Sequence, residues 1–351
     1  MIRSYQKHII TTGTIAREAL KRLETLPDAE SKTLFVVDES AKLVGTITDG
    51  DIRRGLLNDR EISHPVEMFM NTNYRYITPA DLENKTLSAF RKKEIYLIPM
   101  LNDRKEIVKI IDLKFTHSVI PAAAVIMAGG RGTRLSPLTD TVPKPMLKVG
   151  SKPIIEHNID RLIKFGITNF YISVKHLAEQ IKDYLGNGEQ KNVKITYLEE
   201  TVPLGTLGSI TMIPKLSMEH LLVMNADILS NIDFEDFFQF YIENGSSMCI
   251  ASIPYQVKVP YGVLELNHDK IVSFREKPTY TYYSNAGIYL IKGEVRNGIP
   301  AQTHYNATDL MTTLIDSGKK VTHYPLLGYW IDIGRHEDYL RVQEDIKHIT
   351  F

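Results

Sequence analysis

Apolar positions along the chain fall into two regimes. Through residues 1–118, short apolar runs and helical stripes follow one order, used twice. In the first pass Thr14 precedes a helical pattern over 15–26, with Ile15, Ala19, Leu20 and Leu23 on one face. Runs at 33–37 and 43–48 predict two strands joined by a polar turn at 38–42, and a short helix follows over 52–57. The second pass goes through Ile77-Thr78-Pro79, a helical pattern over 82–92, strands at 96–101 and 107–111, and then Asp112. A β-α-β-β-α unit used twice predicts two packed copies, about 1–62 and 63–118, neither able to bury its sheet face alone. From residue 122 apolar runs at 123–128, 169–173, 194–197 and 220–224 alternate with helical patterns at 154–164, 178–185 and 208–213. That alternation predicts an α/β domain with a mainly parallel sheet covered on both faces. Ligands then belong at the C-terminal ends of its strands. Around Val263, Leu264, Leu266, Ile271 and Phe274 the period turns to two, as in a hairpin layer.

A length of 351 residues suits two domains, and the junction at 116–121 carries no low-complexity linker, so the two are expected to pack. Lys plus Arg and Asp plus Glu number 42 each, which gives no bulk basicity for nucleic acid or a membrane surface. A phosphate site needs only a few placed cations, so neutrality does not exclude one. The single cysteine, Cys249, cannot form an intrachain disulfide and lies in an apolar run as a core residue would. The first residues lack a long apolar segment and no stretch is long enough to span a bilayer. A reducing cytoplasm is the expected compartment.

The densest chemistry lies in AAVIMAGGRGTRLSPLTDTVPKPM, residues 123–146. An apolar strand breaks into Ala128, Gly129, Gly130, Arg131, Gly132, Thr133 and Arg134, and the segment closes on Pro143-Lys144-Pro145. Glycines after a strand let backbone N–H groups approach an anion, and Arg134 and Lys144 bring positive charge to the same place. No Lys follows the glycines as a P-loop requires, and Leu135 stands where a dinucleotide fingerprint needs its third glycine. The plain alternative is a tight strand-to-helix turn with surface charges. Further on, EETVPLGTLGS holds Pro203, Gly205 and Gly208 in a close-backbone loop, and LLVMNADILS puts Asp227 at the tip of an apolar strand. A carboxylate there suits Mg²⁺, which binds through one or two carboxylates plus substrate phosphates. Asp residues also cap strand ends for turn reasons alone.

This stretch resembles the signature of the sugar-1-phosphate nucleotidyltransferases, roughly GGxGTRLxPLTxxxPKPM. Three later segments resemble the same family in its own order: Arg275-Glu276-Lys277-Pro278, Asn285-Ala286-Gly287-Ile288-Tyr289 and GYWIDIGRHEDY. Arg335-His336 replaces the usual Thr-Pro of the last. The resemblance implies a Rossmann-like mixed, mainly parallel sheet over 121–351 and transfer of a nucleotidyl group from an NTP to a sugar 1-phosphate. It implies nucleotide contacts from Ala128, Gly129, Gly130, Gly132, Thr133, Gly205 and Thr206, with Glu200 accepting from guanine N–H groups. Arg134 would hold the β- and γ-phosphates, and Lys144 would neutralise charge at the α-phosphate. Glu276, Lys277 and Asn285 would bind the sugar phosphate, and Asp227 and Asp332 would hold Mg²⁺. The PLGT form looks most like guanylyl-transferring members, which favours GTP. UTP, CTP or dTTP, a choline phosphate, or a catalytically silent nucleotide sensor are the alternatives.

In the N-terminal part, GTITDGDIRR resembles the close of a CBS motif, and the whole of 1–118 resembles a tandem CBS pair. The resemblance carries ligand contacts onto Thr48 and Asp51, with an adenine nucleotide as ligand. The second copy, VKIIDLKF, keeps Asp112 alone. CBS pairs associate, which implies a homodimer or higher homo-oligomer; a purely structural or dimerising module is the other reading.

Overall fold

The computed structural model describes residues 5–27, 31–83, 86–214 and 218–349. Contacts divide the chain into two compact units, residues 1–121 with 163–166, and residues 122–162 with 167–351.

The first unit begins with strand β1, Ile9–Thr11, helix α1, Ala16–Thr25, and strands β2, Thr33–Val37, and β3, Leu43–Thr48. The three strands form one sheet in the order β1-β2-β3. Helix α2, Asp49–Leu57, follows directly, because Thr48 and Asp51 form a reciprocal capping box that satisfies the first free amides. Further along come helix α3, Thr86–Lys92, and the antiparallel strands β4, Leu97–Leu101, and β5, Ile107–Asp112. The helix expected over 82–92 is therefore shorter. Pro79 opens a 3-10 segment over Pro79–Glu83, and residues 84–85 of the expected helix lie outside the described residues. No helix follows β5 to match α2; the chain turns at Asp112 instead, whose Oδ1 accepts the Lys114 N–H.

The second unit opens on β6, Ala122–Met127, and a small ladder of β7, Lys148–Val149, with β8, Lys152–Pro153. Helix α4, Ile154–Lys164, strand β9, Asn169–Val174, helix α5, Ala178–Leu185, and strand β10, Lys194–Glu199, follow. Then come β11, His220–Asn225, β12, Ile228–Ser230, α6, Phe234–Glu243, and β13, Met248–Lys258. A hairpin of β14, Val263–Asn267, and β15, Lys270–Arg275, leads into β16, Thr279–Lys292. The chain ends with α7, Ala307–Asp316, β17, Val321–Pro325, β18, Trp330–Asp332, and α8, His336–Asp345.

Seven strands make the main sheet, in the order β10-β9-β6-β11-β16-β13-β17. Strands β10, β9, β6 and β11 are parallel; β16 runs antiparallel to both neighbours, and β13 and β17 are again parallel. Strand β6 is near-continuously apolar because both its faces are covered, and Ala123, Ala124, Val125 and Ile126 are buried. Leu207, Ile210, Leu221, Val223, Tyr289 and Ile291 belong to one core cluster. Cys249, on β13, is buried, and burial pushes its thiol up to about 11. The helix expected over 208–213 is a 3-10 turn, Gly208–Met212. Among the described residues no helix is long and apolar enough to cross a membrane.

A charge network pins α4. Lys191 Nζ donates to Glu156 Oε1 at 2.7 Å and Asp160 Oδ1 at 2.6 Å, and Lys152 Nζ donates to Asp160 Oδ2 at 2.6 Å. Burial pushes the Asp160 carboxyl up, but the bonds from Lys152 and Lys191 outweigh it and hold the group below its ordinary value. A depressed folded-state value gives stability that is present above the ordinary carboxylate range and lost as pH falls through it. Melting temperature should therefore drop as pH falls below about 4. Asp160→Asn should lower it at neutral pH and flatten that acid limb; an unchanged limb in a thermal scan against pH would remove the network from the account.

Candidate active site

Parallel pairing fixes where the chemistry gathers. Strands β6, β9, β10 and β11 all end at one edge of the sheet, so the loops opening at Ala128, Lys175, Glu200 and Ala226 share that edge. A cavity of about 300 Å³ lies there, lined by Gly129, Gly130, Glu200, Thr206, Asn225 and Asp227 among others.

Three charged groups converge beside it. Strands β12 and β18 pair antiparallel with Ile228 opposite Asp332, which brings Asp227 and Asp332 together. The Ile333 N–H closes the ladder on Asp227 O at 3.1 Å. Lys144 enters from the other side on the 3-10 turn Lys144–Met146, where Pro143 and Pro145 set the backbone. Gly132 makes that approach possible: its φ is +65°, and a Cβ there would lie 3.0 Å from Lys144 Cβ. Lys144 Nζ donates to Asp227 Oδ2 and stands 3.6 Å from Asp332 Oδ1. The Arg134 guanidinium borders Asp332 too, since a Cβ on Gly334 would lie 3.7 Å from both Arg134 Nη1 and Asp332 Oδ1.

The electrostatics show an unfinished balance. Burial, and then the charge of Asp227, raise the Asp332 carboxyl above its ordinary value, while Lys144 and Arg134 pull it back. Asp227 Oδ1 and Asp332 Oδ1 are buried without a hydrogen-bond partner. Two orphaned carboxylate oxygens fit a hard divalent cation that takes its remaining ligands from substrate phosphates and water. Among the described residues no group of three or more His, Cys, Asp or Glu could hold a metal ion.

The second wall is a pair of interlocked loops. Leu207 N–H donates to Tyr305 O and Tyr305 N–H to Leu204 O, each at 2.9 Å, and Ala307 N–H donates to Thr206 Oγ1 at 2.7 Å. Gly205 has φ +73°, and a Cβ there would meet Asn306 Oδ1 at 2.7 Å and Tyr305 O at 2.8 Å. Gly205→Ala thus combines a left-handed backbone with a clash. It should cost about 1–3 kcal/mol of stability and raise the KM of whatever substrate the cavity takes, read by thermal melting and steady-state kinetics. A variant with both quantities unchanged would mean the clamp does not shape the cavity.

The family residues expected from sequence divide into those gathered here and those held elsewhere. Gly129, Gly130, Glu200, Gly205, Thr206 and Asp227 line the cavity. Ala128 is buried, with its N–H given to Ser173 O. Gly132 supports Lys144, and Thr133 begins the short turn that carries Arg134. Glu276 and Lys277 lie on the exposed turn between β15 and β16, outside the lining. Asn285 spends its amide internally: Oδ1 accepts the Gly287 N–H and Nδ2 donates to Tyr289 Oη, each at 2.8 Å. In the other unit Thr48 and Asp51 bond to each other, and Arg54 pairs with Asp51 at 2.6 Å. Asn225 and His304 line the cavity without having been singled out in the sequence. Asn225 could have been found as the last residue of a strand ending at the ligand edge.

Residues 123–349 match the sequence profile of the family described as Nucleotidyl transferase. The chain belongs to that family. Among curated proteins it is 34% identical over 227 residues to a probable mannose-1-phosphate guanylyltransferase 1 of Oryza sativa subsp. japonica. It is 31% identical over 236 residues to a UTP–glucose-1-phosphate uridylyltransferase of Synechocystis. The matches cover 62% of this chain, and 62% and 61% of the respective relatives' own lengths. Among solved structures it resembles HddC from Yersinia pseudotuberculosis, complexed with GMP-PN, at 26% identity and a TM-score of 0.51, over 64% of this chain and 99% of that one. Apart from residues 163–166, the matched segment lies in the second unit described above, which carries the Asp227–Lys144–Asp332 cluster.

Proposed function

We propose that this nucleotidyl transferase makes a nucleoside diphosphate sugar from an NTP, with GTP favoured, and a sugar 1-phosphate. The observation that carries the reading is the convergence of Lys144, Asp227 and Asp332 beside a cavity floored by Gly129 and Gly130. An oxygen of the sugar 1-phosphate attacks the α-phosphorus in line; its bond to phosphorus forms as the α–β bridge breaks, and pyrophosphate leaves with the electron pair. No covalent enzyme intermediate is required. Lys144 stands fixed where charge grows on the α-phosphate, and Arg134 and the glycine-loop amides hold the outer phosphates. Asp227 and Asp332 would hold Mg²⁺, which when bound supplies Lewis-acid charge to the phosphates.

A curated relative named as a guanylyltransferase and a solved neighbour complexed with GMP-PN support GTP; a uridylyltransferase relative keeps UTP as the second candidate. Pyrophosphate release should be measured with GTP, UTP, CTP, dTTP and ATP against a panel of hexose, hexosamine and heptose 1-phosphates. Selective release with one GTP pair is expected; release with none, in a protein that still binds nucleotide, would favour a silent sensor.

For residues 1–118 we propose a CBS pair that binds an adenine nucleotide and assembles the chain into a dimer or higher oligomer. A cavity of about 550 Å³ within this unit, bordered by Lys32, Arg75 and Lys114 with Tyr74 and Tyr96, supports a phosphate-bearing aromatic ligand. Thr48 and Asp51 do not border it.

A further inference from the structure

Two cavities meet over the glycine loop. The 300 Å³ cavity holds Glu200, and a second, of about 350 Å³, is lined by Arg131, Lys175, His176 and Leu177. Gly129, Gly130 and Pro203 border both. A Cβ on Gly129 would lie 3.3 Å from Glu200 Oε1 and 3.4 Å from Lys175 Cβ, so one anionic and one cationic side chain flank the same bare backbone. Each is anchored. Lys175 Nζ donates to Thr201 O at 3.0 Å. Glu200 Oε1 accepts from Ser173 Oγ, and Oε2 accepts the Leu204 N–H at 2.9 Å. Each Glu200 oxygen keeps a second lone pair, and the Lys175 ammonium keeps two further donors.

We propose that the nucleobase lies across Gly129, Gly130 and Pro203, and that Lys175 is the second determinant of its identity, acting with Glu200 to select guanine. The inference rests on the nucleotidyl transfer reading and names the feature of the base that each residue tests. Guanine presents the acceptor O6 beside the donors N1–H and N2–H. Lys175 donates to O6 while both oxygens of Glu200 accept. Adenine and cytosine put an amino donor where Lys175 needs an acceptor. Uracil and thymine keep a carbonyl for Lys175, but they set a second carbonyl against the carboxylate in place of the N2 amino group. Lys175 therefore separates keto from amino bases, and Glu200 separates guanine from uracil.

The test is kcat/KM for all five NTPs, with the sugar 1-phosphate that the wild type uses. GTP should lead for the wild type. Lys175→Met should lower GTP and UTP alike by about 10–100-fold, the worth of a charged hydrogen bond, with KM for the sugar 1-phosphate unchanged. Lys175→Arg should recover most of that loss. Glu200→Gln, whose amide offers one acceptor and one donor, should lose GTP by a similar factor and leave UTP equal or improved. A wild type that turns over but favours a base other than guanine overturns the inference and leaves nucleotidyl transfer standing. The same holds if Lys175→Met slows all five NTPs equally or acts on the KM for sugar instead. A wild type inactive with every NTP overturns both readings.

Discussion

Lys144→Met is expected to lower turnover by about 10²–10³-fold, the usual loss when one preorganised charge is removed from a developing oxyanion. The size follows from how the lysine is held. It is buried, carried on a proline-bounded turn, and packed against a glycine that leaves no room for a side chain of its own. Its ammonium is therefore in place before substrate arrives and needs no reorganisation during the reaction. Methionine keeps most of the apolar stem, so the loss reports charge more than packing. A second reading sharpens the test. Without Lys144 only Arg134 is left to offset the carboxylates of Asp227 and Asp332, and their attraction for a divalent cation grows. Half-saturating Mg²⁺ should fall even as kcat falls. A variant with near-normal kcat would take Lys144 out of the chemistry.

Asp227→Asn is expected to cost about as much, 10²–10³-fold or more, and to move Mg²⁺ dependence the opposite way. The amide removes one of the two carboxylates available to the cation, so half-saturating Mg²⁺ should rise. It also removes the like charge that helps raise the Asp332 carboxyl, which should titrate closer to its ordinary value. Asn can still accept a bond from Lys144, so the fold should persist, as circular dichroism would check. Full activity at ordinary Mg²⁺ would contradict the assignment of Asp227.

Much of this site was legible because its residues lie in short stretches with strong local grammar. Apolar runs ending in Gly129-Gly130 or Asn225-Ala226-Asp227 read as buried strands that stop at an edge, and parallel strands stop at the same edge. Pairing was harder to read. Strand β16 inserts antiparallel between β11 and β13, a choice set by contacts distant in sequence. The segment over Gly208–Met212 carries helical spacing yet stays a 3-10 turn, because Gly205 and Gly208 are clamped against residues 303–306 before a full turn can propagate. Lys175 and His304 carry no motif at all. Strand order and loop clamping bring His304 to the cavity lining and Lys175 to the neighbouring cavity that shares Gly129 and Gly130. Glu276, Lys277 and Asn285 show the converse: a recognisable motif without a place in the cavity lining.

The measurement that tests the central claim most directly is the stereochemical course at the α-phosphorus. A single diastereomer of an α-thio-substituted GTP, turned over with the accepted sugar 1-phosphate, should give product with inverted configuration, as one in-line displacement requires. Retention would mean two displacements through a covalent enzyme intermediate, and would contradict the account built on Lys144, Asp227 and Asp332.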